Sequence, residues 1–272
     1  MELSIITINY NNKAGLQKTI DSVICQTWKD YEWIVIDGGS TDGSRELIEQ
    51  YQQYFSCWCS EADNGIYNAM NKGIAKANGD YLNFMNSGDM FYDKTVLECI
   101  FGNSRGGDII YGDWLKDYTT HEEIVSIPVN KLWSTLWRQN ICQQTMFVKT
   151  ELLKQKGFDD SMFIIADWKR LVELLLSGAT IEYIPHTVCR YDMNGISSKI
   201  EDPQIEIEYH NIQSLYPHYL MDALKELYQY NNNDYVQIVL SLTKERNIGS
   251  LITKSILKIL CYLRNNVYRK NS

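Results

Sequence analysis

Apolar and β-branched positions run from Leu3 to Ile8, then recur at helical spacing at Leu16, Ile20, Val23 and Ile24 within residues 14–26. A second run from Tyr31 to Ile36 ends at Asp37. Gly38-Gly39-Ser40-Thr41-Asp42 then makes a turn and offers an N-cap to a helix passing through Ile48 and Tyr51. The alternation repeats with a strand from Ser56 to Ser60, a helix from Ile66 to Ala77 and a strand from Asp80 to Met85. Short buried strands alternating with helices predict a parallel, doubly wound α/β sheet. Such sheets bind ligands in a crevice beyond the carboxyl ends of their strands.

That rule selects Thr7, Asn9 and Tyr10 after the first strand, Asp37 after the second, Glu61 and Asp63 after the third, and Asn86 and Asp89 after the fourth. Turns collect Asp, Asn, Ser and Gly for backbone reasons, which accounts for any one of these positions alone. Four successive strand ends with acidic or amide groups favour a polar binding crevice. The phosphate-binding loops GxGxxG and GxxxxGK[ST] are both absent from the first hundred residues.

With 272 residues, 44% hydrophobic and 22% charged, the chain has enough apolar material for a sizeable core. Its formal charge of −8 gives no bulk attraction to nucleic acid, so a nucleic-acid partner is not expected. The charge is unevenly spread: seven basic residues against Glu245 give residues 244–272 a net +6, leaving −14 on residues 1–243. Seven cysteines, at 25, 57, 59, 99, 142, 189 and 261, lack paired CxxC spacing and read as reduced thiols. The first ten residues have no basic segment or long apolar stretch of a leader, and the longest apolar runs are five residues. A cytoplasmic protein is therefore expected, with any membrane contact peripheral.

Four segments resemble the family-two glycosyltransferases of the GT-A fold, which build bacterial cell-surface polysaccharides. They are Ser4-Ile5-Ile6-Thr7-Ile8-Asn9-Tyr10-Asn11, Val35 to Gly43, Ser60 to Gly73, and Asn86-Ser87-Gly88-Asp89, in matching order and spacing. The resemblance covers about residues 2–200. It implies a GT-A (Rossmann-like) α/β fold, a mixed, mostly parallel sheet flanked by helices. In that reading residues 1–200 form the transferase domain, with a nucleotide-binding half over about 1–100 and an acceptor half over about 101–200. Residues 201–272 form a C-terminal helical extension.

The resemblance also implies a nucleotide-sugar donor, UDP-linked, lying across the crevice. Thr7, Asn9 and Tyr10 would border the base and ribose, and Asp37 would accept from the uracil ring or ribose. Asp63 would contact the nucleoside, and Lys72 on the following helix would face a phosphate; a solvated helix lysine is the alternative. A departing diphosphate concentrates charge that a hard divalent cation neutralises, so Mg²⁺ or Mn²⁺ is expected. The family's common DxD motif reads here Asn86-Ser87-Gly88-Asp89, which leaves Asp89 as the single anionic metal ligand and Asn86 and Ser87 beside the donor. One charged ligand predicts weak metal binding.

Gly157-Phe158-Asp159-Asp160, then Phe163-Ile164-Ile165-Ala166-Asp167-Trp168, resembles the family stretch that carries the catalytic base, which by this match is Asp167. An inverting transfer needs one carboxylate to deprotonate the acceptor hydroxyl. Desolvation after four apolar residues would raise the pKa of Asp167, while the helix dipole would lower it. An N-cap aspartate is the structural alternative. Cys142 to Phe147 resembles a segment that usually reads His-Gln where this chain has Gln143-Gln144, and it implies that Gln144 touches donor or acceptor. Arg190 to Ser198 resembles a loop that closes over the donor, with Arg190 meeting the diphosphate. The four histidines are dispersed with no metal-binding spacing.

Residues 203–230 read as helical, and a basic amphipathic pattern from Ile248 to Val267 suits an anionic membrane surface or a packed helix. The expected partners are thus a nucleotide-sugar donor, a lipid-linked or oligosaccharide acceptor, and the inner face of the cell membrane as a peripheral contact. Two rivals stand beside this reading. A sugar-nucleotide nucleotidyltransferase would carry a glycine-rich basic loop where Asn9-Tyr10-Asn11-Asn12 stands. A non-catalytic carbohydrate-binding scaffold would tolerate the missing first carboxylate.

Overall fold

A computed structural model describes residues 1–102, 106–193 and 203–217 and positions 220, 223 and 224. The expected strands and helices form in the expected order. Strands β1 (Leu3–Asn9), β2 (Tyr31–Asp37), β3 (Cys57–Ser60) and β4 (Tyr81–Phe84) alternate with helices α1 (Lys13–Ile24), α2 (Ser44–Tyr51) and α3 (Ile66–Lys76). The second half contains β5 (Met90–Phe91), α4 (Val96–Phe101), β6 (Ile109–Asp117), β7 (Glu122–Val125), α5 (Val129–Leu136), β8 (Met146–Lys149) and α6 (Thr150–Gln155). Helix α7 (Ala166–Leu176), strand β9 (Ile181–Asp192) and helix α8 (Pro203–Leu215) complete it.

The sheet runs β3-β2-β1-β4-β8-β6-β9-β5, with β7 paired to β6. Strands β3, β2, β1 and β4 are all parallel, as the alternating pattern requires. Strand β8 enters antiparallel between β4 and β6, which makes the sheet mixed. Register carries the crevice: Asn9 lies opposite Asp37, and Asp37 opposite Ser60, so three strand ends finish level with one another.

Helix boundaries show which local signals win. Position 43, not Ser40, Thr41 or Asp42, is the N-cap of α2, because Gly43 adopts φ +91. Asp42 still performs capping chemistry from one residue outside, accepting from Ser44 N at 3.0 Å and Ser44 Oγ at 2.6 Å. Helix α7 starts at Ala166 with Ile165 as its N-cap, so Asp167 lies inside the first turn rather than at the cap. Among the described residues no helix is long and apolar enough to cross a membrane. The basic pattern from Ile248 to Val267 and the segment Asn194 to Ser198 lie outside the described residues.

A buried polar anchor closes the turn between α3 and β4. Glu32, 6% exposed, accepts from Ser4 Oγ at 2.6 Å and from Gly79 N at 3.2 Å, and also from Asn78 N. A buried carboxylate costs several kcal/mol unless donors meet it, so this cluster fixes how the Asn78–Gly79 turn approaches β1. A Cβ on Gly79 would stand 2.5 Å from the carbonyl carbon of Leu3 and 2.6 Å from Ser4 N, both rigid backbone. Gly79→Ala should therefore cost about 1–3 kcal/mol, the range for forced overpacking. Urea denaturation should show a lower midpoint at unchanged slope; an unchanged midpoint refutes the close approach.

Candidate functional site

The ends of β1, β2 and β3 are tied together by one carboxylate. Asp37 is fully buried; its Oδ1 accepts from Asn9 Nδ2 at 2.7 Å and Ser40 Oγ at 2.6 Å, and its Oδ2 from Ser40 N at 3.0 Å and Ser60 Oγ at 2.6 Å. Burial alone would raise its pKa, but donors from Ser40, Ser60 and Asn9 outweigh it and hold the carboxyl below its ordinary value. With every oxygen engaged, Asp37 orders the crevice floor rather than offering a free acceptor, which corrects its expected direct contact with the nucleoside.

Above that floor the surface opens. Tyr10 is 59% exposed, and Asp63, half-buried, accepts from Gly65 N at 3.0 Å. A Cβ on Gly38 would lie 2.6 Å from Asp63 Oδ2 and 3.2 Å from Tyr10 Cδ2. The Tyr10 ring and the Asp63 carboxylate therefore flank a glycine whose lack of a side chain lets them approach. Lys72 pairs with Glu61 at 2.8 Å on the outer side of the same loop. Thr7 does not join the crevice, contrary to expectation. Its side chain is fully buried, donating to Met85 O at 2.8 Å and accepting from Trp33 Nε1 at 3.0 Å.

The turn Asn86-Ser87-Gly88-Asp89 is held from behind by α1. Thr19 Oγ1 lies 3.1 Å from Asn86 O and 2.7 Å from Asp89 O, and accepts from Gly88 N at 3.0 Å. Ser87 Oγ donates to Asn12 O at 3.1 Å, and Ser87 O accepts from Asn12 Nδ2 at 3.1 Å. Gly88 supplies φ +108, which this turn requires. Asp89, 6% exposed, accepts from Gln144 Nε2 at 2.6 Å and from Asp192 N at 3.0 Å. Burial pushes its carboxyl up to about 7, opposed by those two donors and reinforced by the nearby Asp192 charge.

Asp192 was not among the residues selected from sequence, although the strand-end rule, applied to β9, points to it. Met90 pairs with Arg190, so the two-residue strand β5 brings the end of β9 against Asp89. A Cβ on Gly88 would lie 3.8 Å from Asp192 Oδ2. A second carboxylate therefore stands beside Asp89, and the Asn86 Oδ1 is a buried oxygen without a hydrogen-bond partner. Among the described residues no group of three or more His, Cys, Asp or Glu side chains forms a metal cage. Asp89, Asp192 and Asn86 are nevertheless oxygen donors of the type a hard divalent cation takes, and the unpartnered Asn86 oxygen leaves room for such a contact. Arg190, expected to meet the diphosphate, is engaged instead by Asp117 at 3.0 Å and Glu122 at 2.5 Å on the β6–β7 hairpin.

Asp167 occupies a half-buried position whose two oxygens are met by different elements. Tyr67 Oη, at the start of α3, lies 2.8 Å from Oδ1, and Asn140 Nδ2 lies 2.5 Å from Oδ2. Asp167 also lines a small cavity with Phe84, Phe158, Arg170 and Leu171, large enough for about one water molecule. Burial raises its carboxyl to about 6, with the Tyr67 hydroxyl, local backbone N–H groups and Asn140 pulling the other way. Burial and the adjacent carboxylate push the Tyr67 phenol well above its ordinary value, so it stays a donor. Tyr67 and Asn140 were likewise not selected from sequence; nothing in their spacing relates either one to residue 167.

A sequence model described as glycosyl transferase family 2 matches residues 4–147. The chain belongs to that family. Its match begins in β1 and includes the Asp37 floor, the Asp63 loop, the Asn86–Asp89 turn and Gln144, but ends before Asp167. This transferase is 28% identical over 259 residues to an uncharacterized glycosyltransferase of Mycobacterium tuberculosis strain H37Rv, covering 89% of this chain and 98% of that protein. It is also 28% identical over 210 residues to a PGL/p-HBAD biosynthesis glycosyltransferase of Mycobacterium bovis BCG, covering 74% of this chain and 81% of that one. Among solved structures, S. aureus TarS 1–349 in complex with UDP aligns with a TM-score of 0.65 at 16% identity, over 84% of this chain and 71% of that chain. Mannosyltransferase PcManGT from Pyrobaculum calidifontis, in complex with GDP-Man and Mn²⁺, aligns with a TM-score of 0.57 at 14% identity, over 97% and 86%. These likenesses establish the GT-A fold.

The Tyr67 contact can be read directly. A hydroxyl that donates to a carboxylate stabilises its charged form, so removing it raises the pKa. In Tyr67→Phe the Asp167 carboxyl, followed by carbon-13 NMR, should titrate at a higher pH than in the native protein. A lower or unchanged midpoint rules out that contact.

Proposed function

We propose that this glycosyltransferase is an inverting enzyme that moves a sugar from a nucleotide-diphosphate donor, UDP-linked, to a hydroxyl of a lipid-linked or polysaccharide acceptor. Asp167 is the general base. The observation that carries this reading is a carboxylate raised to about 6 in a desolvated position, oriented at both oxygens by neutral donors. A base of that pKa is ionised at neutral pH and still basic enough to accept a proton from an acceptor hydroxyl as it attacks. One displacement at the sugar carbon needs no enzyme nucleophile, and among the described residues no second carboxylate shares a hydrogen bond with Asp167.

The donor lies over the β1–β3 ends. The nucleoside base stacks against Tyr10 and meets Asp63, while Asp37 and Asn9 keep the floor in shape, and Lys72 stays near the phosphates. The diphosphate lies toward Asn86, Ser87 and Asp89, with Gln144 holding Asp89 in place. Asp89, with Asp192 and Asn86, would hold Mg²⁺ or Mn²⁺, which supplies charge neutralisation for the diphosphate as it leaves. UDP in TarS and GDP-Man with Mn²⁺ in PcManGT support a donor of this class. Residues 1–200 act as the transferase domain in this reading, with nucleotide and acceptor halves meeting near residue 100. Residues 201–272 are an extension whose basic end favours the inner membrane face.

Two experiments test the proposal. Asp167→Asn should lower turnover by about 10²–10⁴, the usual contribution of a general base, with UDP affinity unchanged by calorimetry. Wild-type turnover in that variant overturns the assignment, and the native rate should rise with pH through about 6 and then level. Gly38→Ala should weaken UDP binding at least tenfold by driving Tyr10 and Asp63 apart; undiminished affinity would remove the nucleoside from this slot.

A further inference from the structure

We infer that Glu208, on α8, is a positioning residue for Asp167, acting through the backbone of residues 163–165. This inference rests on the reading of Asp167 as the base. Glu208 is 2% exposed, and a carboxylate so far from water needs donors. It finds three consecutive backbone N–H groups: Phe163 N and, at 3.2 and 3.3 Å, Ile164 N and Ile165 N. These residues immediately precede α7. The N-cap of that helix is Ile165, whose side chain has nothing with which to accept a hydrogen bond. A distant element therefore supplies the anion that the local sequence lacks.

The connection to the base is continuous. Ile164 donates its N–H to Glu208, and its carbonyl lies 2.5 Å from Tyr67 Oη, the same hydroxyl that stands 2.8 Å from Asp167 Oδ1. One peptide segment thus joins Glu208 on one side to the Tyr67–Asp167 contact on the other. Helix α8 is itself fastened to the element that flanks the base. Tyr216 Oη donates to Leu136 O at 2.9 Å, and Trp168 Nε1, one residue after Asp167, donates to the same carbonyl at 2.8 Å. Tyr209 Oη donates to Trp137 O at 3.2 Å, and its ring meets Trp168 edge-on at 5.3 Å.

Glu208 has no reach to a substrate, because its oxygens are taken up by backbone donors beneath the surface. Its effect must be exerted on the segment it holds. Loosening residues 163–165 admits water to Asp167, and relief of burial, the largest influence on that carboxyl, lowers its pKa. Tyr67 from α3 and Arg170, which shares the Asp167 cavity, are the titratable groups facing the base; the Tyr67 hydroxyl, which touches the Ile164 carbonyl, shifts with the segment, but its pull on the Asp167 carboxyl is smaller than the push from burial.

The test uses the full-length protein carrying Glu208→Gln, which keeps the side-chain shape but presents an amide donor to at least one of the N–H groups. Amide hydrogen exchange at residues 163–165 should accelerate at least tenfold while the strands of the sheet stay protected. The Asp167 carboxyl, followed by carbon-13 NMR, should titrate at least half a unit lower, and calorimetric UDP affinity should stay within twofold. A folded variant with accelerated exchange but an unmoved Asp167 midpoint makes Glu208 a structural cap only and overturns the inference. Should Glu208→Gln fail to fold, Glu208→Asp, which keeps the charge but withdraws it by one methylene, should show a smaller shift in the same direction; an unmoved midpoint there also overturns it. Asp167→Asn separates the two readings: retained turnover removes the base while leaving the titration shift standing. Lost turnover with a midpoint indifferent to position 208 removes the positioning role alone.

Discussion

A carboxylate taken out of water has to be met by donors, and the arrangement of the crevice follows from where those donors come from. Asp37 draws four hydrogen bonds from three segments and ends with a lowered pKa. Asp89 draws two side-chain or backbone partners and rises to about 7. Asp167 also rises, to about 6, despite Tyr67 and Asn140. The same residue type thus settles at three different levels according to how far its donors offset its burial. The carboxylate whose donors outweigh burial stiffens the floor, whereas the two on which burial wins hold a proton more tightly.

Sheet topology decides which of these groups meet. The parallel strands β3-β2-β1-β4 level their carboxyl ends, and this half was legible in sequence because buried strands and amphipathic helices alternate in short, regular intervals. The family resemblance and the strand-end rule both point to Asn9, Asp37, Asp63, Asn86 and Asp89, which the structure sets at the ends or in the turns of these strands. Thr7 was misjudged because a strand-end position says nothing about which face a side chain takes. Its hydroxyl turns inward to the Trp33 indole. Arg190 was misjudged for a different reason: the competing acidic pair Asp117 and Glu122 lies about seventy residues away in the chain, and the β6–β9 pairing that brings them together leaves no local signal.

The residues that sequence did not reveal share that non-local origin. Asp192 reaches Asp89 only through a two-residue antiparallel pairing, too short to leave a hydrophobic pattern. Tyr67 is separated from Asp167 by a hundred positions and Asn140 by twenty-seven, and Glu208 lies on a helix beyond the stretch that the family model matches. Periodicity reports how one element faces the core. It carries no information on which polar side chain of another element will satisfy a given backbone or carboxyl group, and those choices build the site's second half.

The turn at residues 86–89 has a consequence for how such a site can change over time. Its shape is secured by Thr19, which accepts from Gly88 N and donates to the nearer Asp89 carbonyl, and by Asn12 at Ser87, and none of these bonds uses the side chain at position 86. The backbone scaffold and the chemistry hung on it are therefore uncoupled at that position. An acid there would leave the turn's own hydrogen bonds in place, but it would put charge on a buried oxygen that no donor meets. The amide at position 86 thus spares the fold a further unmet charge near Asp89, and a return to an acid would have to bring its own donor or counter-charge.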